Sequence, residues 1–153
     1  MKAVILVDTR EKVNQHILTR LDELNISYRL KKLNYGDYSF ERNGVSYENK
    51  IVIERKGSLD EIIGNFTVGR ERFKREFERS KGCKVILMVE ATQSQLERHE
   101  YRSRMSPKDL KGFLATWSNK FQLELKFVDK SESCDLMLEQ FKKFIKDGVK
   151  QNE

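Results

Sequence analysis

The chain is poor in the residues that mark secreted, zinc-binding or membrane proteins. It has one proline, Pro107, and two cysteines, Cys83 and Cys134, which lie far apart and outside any CxxC pair. That spacing excludes a disulfide framework and a zinc cluster, and it suits a reducing compartment. No apolar run approaches the roughly 20 residues that cross a bilayer. The short run Ala3–Val7 meets Asp8 too early to be a signal-peptide core. The chain is therefore expected to be a cytoplasmic protein with no membrane partner. It has no low-complexity segment, so wholesale disorder is excluded. Two histidines, His16 and His99, leave little scope for histidine-based chemistry.

What is abundant is charge, at 35 % of residues, with a net value of +6. A basic domain suits a polyanion, either nucleic acid or an anionic membrane surface. Both signs are interspersed, so a heavily charged solvated surface explains the balance equally well.

Strand-like and helix-like segments alternate. Ala3–Val7 is a continuous aliphatic run that reads as a strand buried on both faces. Val13, Ile17, Leu21 and Leu24 recur at helical spacing. Tyr28–Leu33 reads as a second strand, Asn43-Gly44 as a hairpin turn, and Ile51–Lys56 as the next strand. Ser58-Leu59-Asp60-Glu61 is a capping-box pattern, and Phe66, Phe73 and Phe77 mark helical core positions around Gly69. Lys84–Val89 is a strand. Ser106-Pro107 starts a helix with Leu110, Phe113, Leu114 and Trp117 on its apolar face. A strand through Leu123, Leu125 and Phe127 and a last helix through Leu136–Ile145 complete an α/β fold, a mixed sheet layered with helices. A single domain over residues 1–147 is expected, with a polar tail over 148–153. His16 reads as a surface position of its helix.

Residues two apart on a strand share a face, so Glu54 and Lys56 project together while Ile51, Ile53 and Arg55 point the other way. The turn at Asn43-Gly44 can bring Asp37 beside Glu54. Asp8 ends the first strand, and Asp60 falls in the first turn after Lys56. Phosphodiester hydrolysis needs this kind of set: one or two carboxylates for a divalent cation and a lysine for the attacking water or the developing charge. Each residue has a plainer reading. An acid and a lysine two apart are common on exposed strands. Asp60 and Glu61 favour a helix N-terminus in any case. Asp8 can be a turn residue, and Arg55 can pair with an acid inside the fold.

The combination is more specific than its parts. Val7-Asp8-Thr9-Arg10-Glu11, Gly36-Asp37-Tyr38 and Ile53-Glu54-Arg55-Lys56 with Asp60 four residues on resemble the nuclease domain of the XPF/Hef family, with its GD…ERK…D motif. Gly69-Arg70 resembles the glycine-arginine pair after the family's next helix. The match runs from about residue 3 to 90 and weakly to 145. The resemblance implies a restriction-endonuclease-like fold and a Mg²⁺-dependent DNA endonuclease acting on branched, flap or fork DNA, with Mn²⁺ able to substitute. It implies Asp37 and Glu54 as metal ligands, Lys56 as the catalytic lysine, and Asp8, Arg55 and Asp60 completing the site, the two aspartates as metal-shell or water-positioning acids. Arg70, Lys74 and Arg75 are the candidate DNA contacts among the basic residues of 70–84, and whether two copies pair as a homodimer is left open by the sequence. Two alternatives remain open: an inactive DNA-binding module of the same fold, and a Holliday-junction resolvase-like nuclease. The segment from Asp37 to Glu54 is longer than in eukaryotic and archaeal members. The chain has no room for their tandem helix-hairpin-helix module, so a compact bacterial or phage version is expected. Arg98, His99, Arg102 and Arg104 surround Tyr101 in a segment that reads as a mobile loop or a solvated connection. Trp117 and Phe121 read as core or dimer interface.

Overall fold

The structure, a computed structural model, describes residues 3–151, with side chains described to residue 148. Seven strands form one mixed sheet: β1 (Ala3–Val7), β2 (Ser27–Leu30), β3 (Tyr38–Arg42), β4 (Val45–Ser46), β5 (Ile51–Lys56), β6 (Lys84–Val89) and β7 (Leu123–Phe127). The order is β2-β1-β3-β5-β6-β7, with β4 added on β3. Pairs β1/β2, β5/β6 and β6/β7 are parallel, and β3 runs antiparallel to both its neighbours. Six helices, α1 (Gln15–Glu23), α2 (Leu59–Phe66), α3 (Arg70–Arg79), α4 (Gln93–Glu97), α5 (Pro107–Phe121) and α6 (Ser133–Gln151), accompany the sheet. No described helix is long and apolar enough to cross a membrane.

Side-chain alternation along the central strands sorts the core into two layers. Ile51, Ile53, Ile86 and Met88 face Ile17 and Leu21 of α1 and Met137 and Phe141 of α6. Val52, Val85, Leu87 and Val89 face α2, α3 and α5 through Ile62, Phe66, Phe73, Phe77, Leu114 and Trp117. Each fully buried aliphatic or aromatic side chain contributes about 1.5–3 kcal/mol. Trp117 belongs to this core, with ring centroids 5.3–6.1 Å from Phe66, Phe73, Phe77 and Phe121.

The hairpin turn forms where Asn43-Gly44 predicts it. Both residues have positive φ, 53° and 80°, as a two-residue turn with right-twisted arms requires. Ser58 caps α2 by accepting the Glu61 N–H at 3.1 Å. The Glu61 carboxylate goes to the Gly57 N–H instead of back to Ser58, so only half of the capping box is made. Ser106 caps α5 as predicted. Val13 departs from its predicted place in α1. It has φ 53°, is 82 % exposed, and precedes the helix, because residues 11–14 are drawn across the sheet end by Arg55. α6 carries helix through Gln151, past the boundary predicted at residue 147. Residues 152 and 153 of the predicted tail lie outside the described residues.

The two halves of the sheet meet at β3 and β5, which share one ladder pair, Tyr38 with Ile53. Side chains extend this seam. Ser39 Oγ donates to Ile51 O at 2.7 Å, and Asp37 Oδ2 accepts the Arg55 N–H at 2.7 Å. Gly36 makes the approach possible. Its φ is +78°, and a Cβ there would lie 2.7 Å from Val52 Cβ. Gly36→Ala is expected to lower stability by about 1–3 kcal/mol in urea denaturation. A midpoint equal to that of the unmutated chain would show that the seam tolerates a side chain.

Candidate active site

At the C-terminal end of β5 the seam opens into a cleft. It is lined by Asp37, Glu54, Arg55 and Lys56, by Arg10–Val13, by Gly57, Ser58 and Glu61, by Arg72 and Glu76 of α3, and by Glu90 and Lys130. β5 is buried along its whole length, so its charged end residues enter the protein with its apolar ones. Glu54 and Lys56 point together into the cleft. Lys56 Nζ is 3.1 Å from Glu54 Oε1 and lies 4.9 Å from the centroid of the Phe73 ring. Asp37 arrives from the other side of the seam, fixed by three contacts: its N–H to Ile53 O, its carbonyl to the Asp8 N–H, and its carboxylate to the Arg55 N–H.

The two carboxylates are held in poor solvent beside each other. Burial pushes the Asp37 carboxyl well up, and the Glu54 and Glu11 charges add to the rise, against the Arg55 N–H. Burial also raises Glu54, against the opposing pull of Lys56. Burial pulls Lys56 down, but Glu54, Asp37 and Glu61 outweigh it, and the ammonium is held charged.

Arg55 points to the opposite face, as the strand alternation predicts, and there it pairs with acids. Its guanidinium donates to Glu11 Oε2 at 2.7 Å, to Glu90 Oε1 at 2.6 Å and to Lys12 O at 2.8 Å. The other Glu90 oxygen receives His16 Nε2 at 2.6 Å and Ser133 Oγ at 2.5 Å. His16 is therefore an inward-facing residue and not the surface position read from its helix. Glu11, Glu76, Glu90 and Arg72 are cleft residues that sequence reasoning did not assign. Arg72 and Glu76 precede the core residues Phe73 and Phe77 by one position each, which is the signal that could have found them.

Asp8 and Asp60 are not brought into the cleft lining. Asp8 is buried behind Asp37, accepting the Leu33 N–H at 2.8 Å and the Arg10 guanidinium at 2.9 Å. Asp60 turns away to the Arg102 and Ser103 N–H groups, at 3.0 and 2.9 Å. Both carboxylates thus already have donors. On α3, Arg70 and Arg75 are exposed and Lys74 is half-buried, and none of the three lines the cleft.

Two substitutions separate these environments. A carboxyl with a raised native pKa favours folding below its unfolded pKa and loses that contribution as pH rises through the native value. In EDTA, Asp37→Asn is therefore expected to gain thermal stability over the unmutated chain at pH 8 and to lose the gain near pH 4. A lower melting temperature at pH 8 would overturn the assignment. Arg55→Met leaves Glu11 and Glu90 facing each other without their cation and is expected to cost about 3–5 kcal/mol. A loss below about 1 kcal/mol would mean that the acids find other partners.

Known proteins share the fold. The family model described as ERCC4 domain matches residues 7–139. No curated protein matches the chain. Among solved structures, XPF from Aeropyrum pernix matches with a TM-score of 0.68 and 20 % identity over 91 % of this chain and 60 % of that one. XPF from Aeropyrum pernix in complex with DNA matches with a TM-score of 0.69 and 20 % identity over 95 % of this chain and 66 % of that one. The chain thus spans less than two thirds of either relative. The mixed sheet and its flanking helices are those of an XPF-type nuclease fold, and the chain belongs to the ERCC4 domain family.

Proposed function

We propose that this chain is a Mg²⁺-dependent DNA endonuclease that cuts branched DNA such as flaps and forks. The observation that carries the reading is the convergence of Asp37, Glu54 and Lys56 at the floor of one cleft in an ERCC4 domain. The branched substrate is inferred from the GD…ERK…D resemblance, and DNA binding is supported by the A. pernix XPF structure in complex with DNA.

The donor set fits a hard divalent cation. No group of three or more His, Cys, Asp or Glu is arranged to hold a metal among the described residues. Mg²⁺ needs no such cage, since one or two carboxylates, water and a substrate phosphate satisfy it. Two carboxylates, Glu54 buried and Asp37 half-buried, both raised by desolvation and by acidic neighbours, are the pair such a cation would relieve. Asp37 and Glu54 would hold it, and when bound it would polarise the phosphate and lower the pKa of water. Lys56, kept charged and fixed against Phe73, is placed to orient the attacking water and to stabilise charge developing on the phosphate. The Arg55 N–H fixes one oxygen of Asp37 and leaves the other for the ligand. Arg10, Lys12, Arg72 and Lys130 supply positive charge at the rim for the DNA backbone.

Cleavage of flap, fork, four-way junction and linear duplex DNA with Mg²⁺, Mn²⁺ or EDTA tests the reading. Branched DNA is expected to be cut with either metal and not in EDTA. Glu54→Ala is expected to lose roughly 10²-fold or more in rate while keeping its fold. No metal-dependent cutting of any substrate at low salt sinks the enzyme reading. Cutting of the junction alone would reassign the protein as a resolvase.

A further inference from the structure

The segment from Arg98 to Met105, between α4 and α5, is tied down throughout. Asp60 Oδ2 and Oδ1 accept the N–H groups of Arg102 and Ser103, at 3.0 and 2.9 Å. Those bonds hold the Asp60 carboxyl below its usual range. His99 takes a left-handed conformation, φ 55°, which lets its Nε2 meet Ser103 O at 2.7 Å. The His99 ring stacks on Tyr101 at 4.2 Å between centroids and 21° between planes. Tyr101 Oη donates to Met105 O at 2.7 Å, and the Met105 N–H donates to Ser103 Oγ at 3.1 Å. Such a loop gives up little conformational entropy on binding.

This closed loop displays three arginine cations beside one exposed acid, Glu100. Arg98, His99, Arg102 and Arg104 are all exposed. Arg10, Arg20, Arg29 and Arg55 are in ion pairs, but none of Arg98, Arg102 and Arg104 is paired among the described residues. The neighbouring acid Glu97 is turned to Lys111. The clasping residue Asp60 sits two residues after Ser58, which lines the cleft, while residues 98–105 lie outside the cleft lining.

We propose that residues 98–105 form a second DNA-contacting element. Its arginines bind phosphates beyond the cleft, His99 offers its ring to an unpaired base, and Asp60 serves as the clasp that holds the loop in its binding form. This rests on the nuclease reading and gives it a strand-binding arm. Exposed guanidinium groups are suited to backbone phosphates, and an aromatic ring in a basic setting is suited to stacking a base of a single strand. Asp60 then acts as a positioning residue and not as a metal ligand.

The test is fluorescence anisotropy of a labelled forked DNA in EDTA, titrated with salt, which needs no cutting. The Arg98→Ala/Arg102→Ala/Arg104→Ala variant is expected to flatten the slope of log affinity against log salt by about one unit for each arginine that meets a phosphate. His99→Ala is expected to weaken binding of the fork about fivefold or more and binding of blunt duplex little. Asp60→Ala is expected to speed amide exchange at Arg102 and Ser103 and to weaken the fork complex as the triple variant does. Unchanged slopes in the triple variant overturn the phosphate-binding role. Protected amides in Asp60→Ala, or full affinity with cleavage at saturating DNA abolished, overturn the clasp. If the unmutated chain binds no DNA at low salt, the nuclease reading falls with it, whereas binding by that chain with an indifferent triple variant removes the loop alone.

Discussion

The cleft end of this sheet depends on the neutralisation of buried acids by Arg55. The sheet end collects Glu11, Asp37, Glu54, Glu61, Glu76 and Glu90 around one cleft, and an unpaired charge on the buried ones, Glu54 and Glu90 above all, is costly. The Arg55 guanidinium satisfies Glu11 and Glu90 on one face of β5, while its N–H holds Asp37 at the edge. Lys56 offsets only the acids of the other face. The result is asymmetric: one face of the strand is electrostatically closed, and the other keeps two carboxylates short of positive charge. That shortage is the feature a divalent cation would meet.

The same strand links packing to chemistry. Ile51 and Ile53 lock β5 against α1 and α6, and Val52 locks it against α2 and α3. Glu54, Arg55 and Lys56 continue the alternation with charged groups, so their directions are set by core burial before any ligand arrives. Glu90 directly follows the neighbouring parallel strand and is bound to Ser133 at the start of α6 and to His16 in α1. The helices of one layer are therefore tied to the site through a single carboxylate.

Period-two alternation made the strand end legible in the sequence: the faces of Glu54, Lys56 and Arg55, the turn at Asn43-Gly44 and the helix caps at Ser58 and Ser106 all follow from local rules. What was not legible depends on contacts distant in sequence. Val13 has helical spacing but is pulled out of α1 by a network anchored at Arg55, which bonds Lys12 across 43 positions of sequence. His16 looked like a surface position because its partner Glu90 lies 74 residues on. Asp60 carries the motif's last acid, yet its hydrogen bonds go to residues 42 and 43 positions later. For α3, the rotation fixed by Phe73 and Phe77 turns Arg72 and Glu76 to the cleft, which only the packing of α3 on the sheet reveals.

The seam between β3 and β5 has one ladder pair, and the next acceptor along it is the Asp37 carboxylate in place of a backbone carbonyl. The group offered to a ligand is thus also a stitch between a mixed half-sheet and a parallel one. The layer of Ile5, Val7, Tyr38 and Phe40 also holds Ile51, Ile53 and Ile86, so work done in parting the halves, by heat, pressure or a pulling force, reaches the site and that layer together. Such a molecule would fall silent as it unbuttons, its site lost in the same step as the core layer that crosses the seam.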